Sequence, residues 1–243
     1  MASRKNTYII IGLLLCICVV VSLVYSVNEG FDATKIDYVC ICLDKDIRIQ
    51  NVNKLEKQIG KPIRRFPAVE GKTLNLDDLT SFHPNMKLVS RDLKPNVVGC
   101  YLSHYSILNQ IAQNNESTDG YTVIFEDDAS TNHADLPAKI ATIIDTIPDK
   151  NFDVVYLGIL FGNNCGQRVM QDMCSVDKST YLVGMHGYLV KNASAKKIVE
   201  HLPTMDAAVD HKFKGLIDKD IMVAYLIDPP LVEQGGLGTT LDH

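Results

Sequence analysis

The chain of 243 residues has no tryptophan, no basic cluster, no internal repeat and no low-complexity tract. Without Trp, a flat stacking platform for a ligand has to come from smaller aromatic residues. Without a basic patch, nucleic acid is not an expected partner, and the formal net charge of −5 agrees. Seven cysteines are spread along the chain. Cys16 and Cys18 fall in an apolar run, Cys40 and Cys42 alternate in a strand-like segment, and Cys100 stands at a helix start. None of these has zinc-site spacing. Cys165 and Cys174 flank a polar stretch, a pairing open to them only in an oxidising compartment.

What is present begins with residues 8–27, which carry no charge. Twenty residues at helical rise span roughly 30 Å, the thickness of a bilayer's hydrocarbon core. Arg4 and Lys5 precede the run, and Glu29 and Asp32 are the first charges after it. The positive-inside rule keeps residues 1–7 cytosolic and sends the remainder across the membrane. A cleaved signal peptide is the competing reading, but Tyr25-Ser26-Val27 is a poor small-residue cleavage site. The expectation is a single-pass type II signal anchor, a stem at 28–36 and one exported domain at 37–243. Without the first 27 residues the formal charge falls from −5 to −7. Two sequons, at Asn115 and Asn192, are compatible with a lumenal domain.

Within the domain, strand-like and helical patterns alternate. Residues 37–43 read as a strand, followed by a polar helix with Val52, Leu55 and Ile59 on one face and Gly60 as its stop. Residues 63–69 read as an edge strand because of Pro67. Residues 70–94 form a long loop, and 98–113 are the clearest helix. Further strands are expected at 121–125, 152–160, 181–190 and 221–227. Helices are expected from Asp135 to Ile147, from Ala193 to Leu202 and around 206–217, with an irregular loop at 161–177. This alternation predicts one α/β domain with a largely parallel sheet.

The strand at 121–125 ends in Glu126-Asp127-Asp128. Three adjacent carboxylates repel one another, so a fold gathers them only around something positive. A hard divalent cation carrying phosphates suits such oxygen ligands, and strand ends are where open α/β sheets bind nucleotides. A solvated acidic turn is the plain alternative.

The neighbours of the triplet carry a resemblance. In order they are Ile41-Cys42-Leu43-Asp44, Arg65-Phe66-Pro67-Ala68-Val69-Glu70-Gly71, Val98-Gly99-Cys100-Tyr101-Leu102-Ser103-His104 and Val123-Ile124-Phe125-Glu126-Asp127-Asp128. Asp153-Val154-Val155-Tyr156-Leu157-Gly158, Gly187-Tyr188-Leu189-Val190, Val209-Asp210-His211 and Pro230-Leu231-Val232-Glu233-Gln234 follow. The series resembles glycosyltransferase family 25, which includes lipooligosaccharide β-galactosyltransferases and procollagen galactosyltransferases.

The resemblance implies a GT-A-type Rossmann-like fold. It also implies an inverting, metal-dependent hexosyl transfer from a UDP-sugar, usually UDP-galactose, with Mn²⁺ or Mg²⁺. The acceptor would be a hydroxyl of a glycan or glycoprotein, in the lumen of the ER or Golgi. On that basis Glu126 and Asp128 are metal ligands. Asp44, Gly99, Ser103, His104, Glu126 and Asp127 are donor contacts, and Asp210 is the general base with Asp206 as fallback. Continued strand extension would put Glu126 and Asp128 on one side and Asp127 on the other. Where the family favours Asp-Arg after the first strand, this chain has Asp44-Lys45-Asp46-Ile47-Arg48, and Arg48 is a candidate replacement for the missing charge. Tyr101, Tyr105, Tyr156 and Tyr188 are candidate sugar platforms in place of Trp, although Tyr in apolar strands and helices is usually core. Gln234 faces donor or acceptor in this reading. A catalytically silent member that binds glycan or scaffolds a partner is the rival, favoured by the short sequence after Gln234 and opposed by the complete acidic triplet.

Overall fold

A computed structural model of the chain describes residues 32–114, 118–163 and 166–235. The expected membrane span at 8–27, the sequon at Asn115 and Cys165 lie outside the described residues. Residues Ala33–His243 form one compact unit. Among the described residues no helix is long and apolar enough to cross a membrane.

The apolar run at the start of the domain forms β1 (Ile36–Cys42), followed by α1 (Asp46–Ile59) and β2 (Arg64–Pro67). Gly60 ends α1 in the left-handed region at φ 64°, as a glycine stop should. The long loop contains only short pieces, including β3 (Lys87–Leu88), before α2 (Pro95–Gln113). Pro95 sits in the first turn of α2, where its missing N–H has no helical partner to lose. Next come β4 (Tyr121–Glu126), β5 (Ala129–Ser130), α3 (Leu136–Thr146) and β6 (Val154–Gly158). Four short strands follow: β7 (Phe161–Asn163), β8 (Arg168–Met170), β9 (Met173–Ser175) and β10 (Tyr181–Val183). The chain closes with β11 (Gly187–Lys191), α4 (Asn192–Val199), β12 (Thr204–Met205), α5 (Val209–Asp218), β13 (Ala224–Ile227) and β14 (Glu233–Gln234).

Eight strands make the main sheet in the order β2-β1-β4-β11-β6-β13-β9-β8. β2, β1 and β4 are parallel neighbours, as are β6 and β13. β11 is antiparallel to both β4 and β6, and β9 is antiparallel to β13 and β8. The expectation of a mostly parallel sheet is therefore corrected to a mixed one, although β1, β2, β4, β6 and β13 all point the same way. The physical reason lies between β6 and β11. A parallel return needs a crossover, usually a helix, and among the described residues this stretch has none. The extended run expected at 181–190 is broken by Gly184 at φ 86°, which separates β10 from β11.

The sheet is covered on both faces. Val39, Ile41, Ile124, Tyr156, Tyr188 and Val190 join α2, α4 and α5 in one apolar cluster. Residues of opposite parity, such as Tyr38, Cys40, Val123 and Phe125, are buried too. Burial on both sides explains why these strands read as continuous apolar runs rather than alternating ones. At the shared carboxyl edge of β1 and β4 the polar cluster begins.

Candidate active site

β1 and β4 are in register with Ile41 opposite Glu126, so the residues just past each strand face one another. There Asp127 Oδ2 accepts the Leu43 N–H at 2.8 Å, and Oδ1 accepts Arg48 Nη1 at 2.8 Å. Arg48 is 5% exposed and also lies 3.4 Å from Asp128 Oδ2. It occupies the buried face of α1 with Val52, Leu55 and Ile59, at helical spacing. Asn51, one turn on, donates to the backbone carbonyls of Asp127 and Ala129. Helix α1 thus holds the acidic turn from one side. Arg48, the candidate replacement for the missing charge after β1, places that charge on Asp127 and Asp128.

Asp128 lies in a turn, since β4 stops at Glu126 and strand alternation stops with it. Its Oδ2 accepts Gln234 Nε2 at 3.1 Å, whereas among the described residues Oδ1 is buried without a hydrogen-bond partner. A buried carboxylate oxygen lacking a partner carries a desolvation cost that a cation would offset. Burial pushes the Asp128 carboxyl up, and the charge of Glu126 adds to this against the opposing Gln234 and Arg48. Burial likewise outweighs the Leu43 N–H and Arg48 at Asp127, whose carboxyl is also raised.

Glu126 turns to the other side. His104 Nε2 lies 3.1 Å from Glu126 Oε1, and Cys100 Sγ lies 3.8 Å from the same oxygen. His104 Nδ1 is 2.9 Å from the Tyr188 hydroxyl. Among the described residues Glu126 Oε2 has no hydrogen-bond partner. Burial works to raise the Glu126 carboxyl, but the hydrogen bond and charge of His104, with His186 and Cys100, leave it below its ordinary value. Cys100 is pushed well up by burial and by the charges of Glu126 and Asp210, so it is a neutral thiol at physiological pH.

The helix that carries Cys100 and His104 is seated by backbone contact. A Cβ on Gly99 would fall 2.6 Å from the Gly71 nitrogen and the Val69 oxygen, so a side chain there would displace the helix from that loop. Ser103 fixes the same junction by donating to the Gly99 carbonyl at 2.7 Å and accepting the Val69 N–H at 2.8 Å. Gly99 and Ser103 therefore serve helix–loop packing, and Ser103 is buried. Asp44 is exposed just after β1 and is not drawn into the triplet's hydrogen bonds.

Asp210 is half-buried at the start of α5. Its Oδ2 accepts the Gly184 N–H at 2.8 Å, and its Oδ1 accepts the His211 N–H at 2.8 Å. His211 itself is exposed. Asp206 is exposed and paired with Lys212 Nζ at 2.7 Å, whose hydrogen bond lowers the carboxyl and makes it a weaker base. The four tyrosines expected as sugar platforms are all buried, Tyr101, Tyr156 and Tyr188 at 0% exposure. They are core residues, the alternative that their apolar strands and helices favoured, and Tyr181 is the well-exposed tyrosine among the described residues. Asn192 is buried at the start of α4, and its Oδ1 accepts the Thr122 hydroxyl. That sequon is unsuited to glycosylation in the folded domain. Cys174 is disulfide-bonded, and Cys40, Cys42 and Cys100 are free.

Carboxylates gathered at the end of β4, in a mixed sheet buried on both faces, mark the candidate site of an α/β domain. The model of glycosyltransferase family 25, described as LPS biosynthesis protein, matches residues 36–213. The chain belongs to this family and carries a glycosyltransferase domain. It is also similar to procollagen galactosyltransferase 2 of Homo sapiens, 24% identical over 184 residues. That alignment covers 72% of this chain and 28% of the relative, so the chain spans well under half of that protein's length.

The structure puts His104 against Glu126 and Gln234 against Asp128, a division of the triplet that the sequence pattern does not show. Arg48 was detectable, because it lies four residues before Val52 on the same helical face. Tyr188 was indistinguishable from core, since its ring is core and only its hydroxyl reaches His104.

Proposed function

We propose that the chain is an inverting, metal-dependent hexosyltransferase that moves galactose from UDP-galactose to a hydroxyl of a glycan or glycoprotein. The carrying observation is the buried Oδ1 of Asp128, without a hydrogen-bond partner among the described residues, two positions after Glu126 where β4 ends. Family membership and the name of the human relative support galactosyl transfer.

Asp128, through Oδ1, and Glu126, through Oε2, would hold Mn²⁺ or Mg²⁺. When bound, the cation neutralises charge developing on the departing diphosphate. Asp127, fixed by Leu43 and Arg48, keeps the turn in place rather than acting as a ligand. Asp210, oriented by two backbone N–H groups, takes the proton from the acceptor hydroxyl as its oxygen bonds to the anomeric carbon. The carbon–oxygen bond to the diphosphate breaks, and UDP leaves. Residues 8–27 are read as a signal anchor that holds the domain in the lumen of the ER or Golgi. The disulfide-bonded Cys174 fits that oxidising compartment.

The test is hydrolysis of a panel of nucleotide sugars by the full chain in detergent, with Mn²⁺ or with EDTA. Metal-dependent turnover of UDP-galactose, lost in Asp128→Ala, is expected. A folded protein that neither turns over a UDP-hexose nor binds UDP with Mn²⁺ overturns the proposal.

A further inference from the structure

Next to the oxygen ligands of Asp128 lies a second donor set of different chemistry. Cys100 Sγ, His104 Nε2 and a Glu126 carboxylate oxygen all lie within 4.8 Å of one another. Cys100 and His104 are four residues apart on α2 and so project from one face of the helix. Glu126 comes from the end of β4, and β11 contributes Tyr188 behind His104. We infer that Cys100, His104 and Glu126 form a site for a thiophilic divalent cation, Zn²⁺ foremost, distinct in chemistry from the carboxylate site at Asp128.

Three features carry this. The first is spacing. Zinc bonds to nitrogen, oxygen and sulfur in a tetrahedron put neighbouring ligand atoms about 3.3–3.6 Å apart. Here the nitrogen–oxygen separation is 3.1 Å and the sulfur–oxygen separation is 3.8 Å, each within a few tenths of an ångström of those values, and sulfur and nitrogen lie within 4.8 Å of each other. The second is support behind the ligand. Zinc-bound histidines usually engage a partner through their other ring nitrogen, and His104 Nδ1 already does so with the Tyr188 hydroxyl at 2.9 Å. The third is access. His104 is buried, but Cys100 and Glu126 are both partly exposed, which gives an ion a way in and leaves a fourth position for water or substrate.

Donor type separates the two sites. Sulfur and imidazole favour Zn²⁺ or Co²⁺, whereas Mg²⁺ and Mn²⁺ prefer the oxygens around Asp128. Binding replaces the thiol proton and the His104–Glu126 hydrogen bond by coordination: the Cys100 proton is released to solvent, and the imidazole takes the tautomer with its proton on Nδ1, donating to the Tyr188 hydroxyl oxygen. It uses Glu126 Oε1 and leaves Oε2 free, so the site does not depend on the sugar-transfer reading.

The experiment is titration of the full chain with Co²⁺ followed by optical absorption, then displacement by Zn²⁺. A thiolate-to-cobalt charge-transfer band in the near ultraviolet, with tetrahedral absorption in the red, is expected and should vanish on adding Zn²⁺. Cys100→Ser should lose the charge-transfer band, and Tyr188→Phe should weaken Co²⁺ binding about tenfold while keeping the band. Asp128→Asn should keep both band and affinity, which separates this site from the proposed transferase metal. Circular dichroism of each variant reports whether it is folded. A folded wild-type chain with no band, or a band that survives Cys100→Ser, overturns the inference.

Discussion

Two clusters meet at the acidic end of β4, and they treat their carboxylates differently. On one side Arg48 is shared by Asp127 and Asp128, with Asn51 and Gln234 completing an arrangement of charged and amide groups. On the other, Glu126 is held by a ring, a thiol and, behind the ring, a phenol. The first cluster answers charge with charge yet leaves Asp128 Oδ1 open; the second answers it with hydrogen bonds from groups that can change protonation. Adjacent residues of one triplet thus have unlike roles. What sets them is which helix each carboxylate faces: α1 for Asp127 and Asp128, α2 for Glu126.

The sharpest break in this contrast is Arg48→Met. It removes the guanidinium from a buried pair and leaves Asp127 without its countercharge, which costs about 3–5 kcal/mol. Urea denaturation should show the loss as a large fall in midpoint with an unchanged slope. Tyr188→Phe tests the other cluster more gently. It leaves His104 Nδ1 unpaired in the core, at a cost of about 1–2 kcal/mol in the same assay.

The smallest effect is expected from Asp128→Asn in EDTA, and its sign is opposite. Burial raises the folded carboxyl above its unfolded value, so its stabilising contribution is present below the unfolded pKa and lost as pH rises through the folded one. At pH 7 the charged form therefore destabilises the metal-free domain, and the amide should raise Tm. Melting curves at pH 7 and at about pH 4 should show that advantage shrink in acid.

The first half of the fold was readable because its signals are local. β1, the Gly60 stop, the edge position of β2 and the strand entering the triplet all follow from short stretches of sequence. The reversal of β11 was not, because direction depends on what connects β6 to it, and that stretch has weak periodicity. The irregular loop at 161–177 conceals β7, β8 and β9, each only three residues long. The triplet was visible as a site, but extrapolating strand alternation past Glu126 failed where the chain turns. The tyrosines were readable as core because apolar spacing identifies buried rings, though it says nothing of a hydroxyl such as that of Tyr188. Residues such as Cys100 and Glu126, 26 apart in the chain, meet only through the packing of α2 on β4.

Gly158 and Gly187 stand opposite each other in β6 and β11. A Cβ on Gly158 would fall 1.8 Å from the Val232 oxygen, and one on Gly187 2.7 Å from a Val232 methyl. Two absent methyl groups thus cut a notch in the rim of the sheet, and the tail of the domain is seated in it by shape. Two residues further along, that tail delivers the Gln234 amide to Asp128. A side chain filling the notch would lift the tail, and the acid would register a purely steric change as the loss of its amide partner.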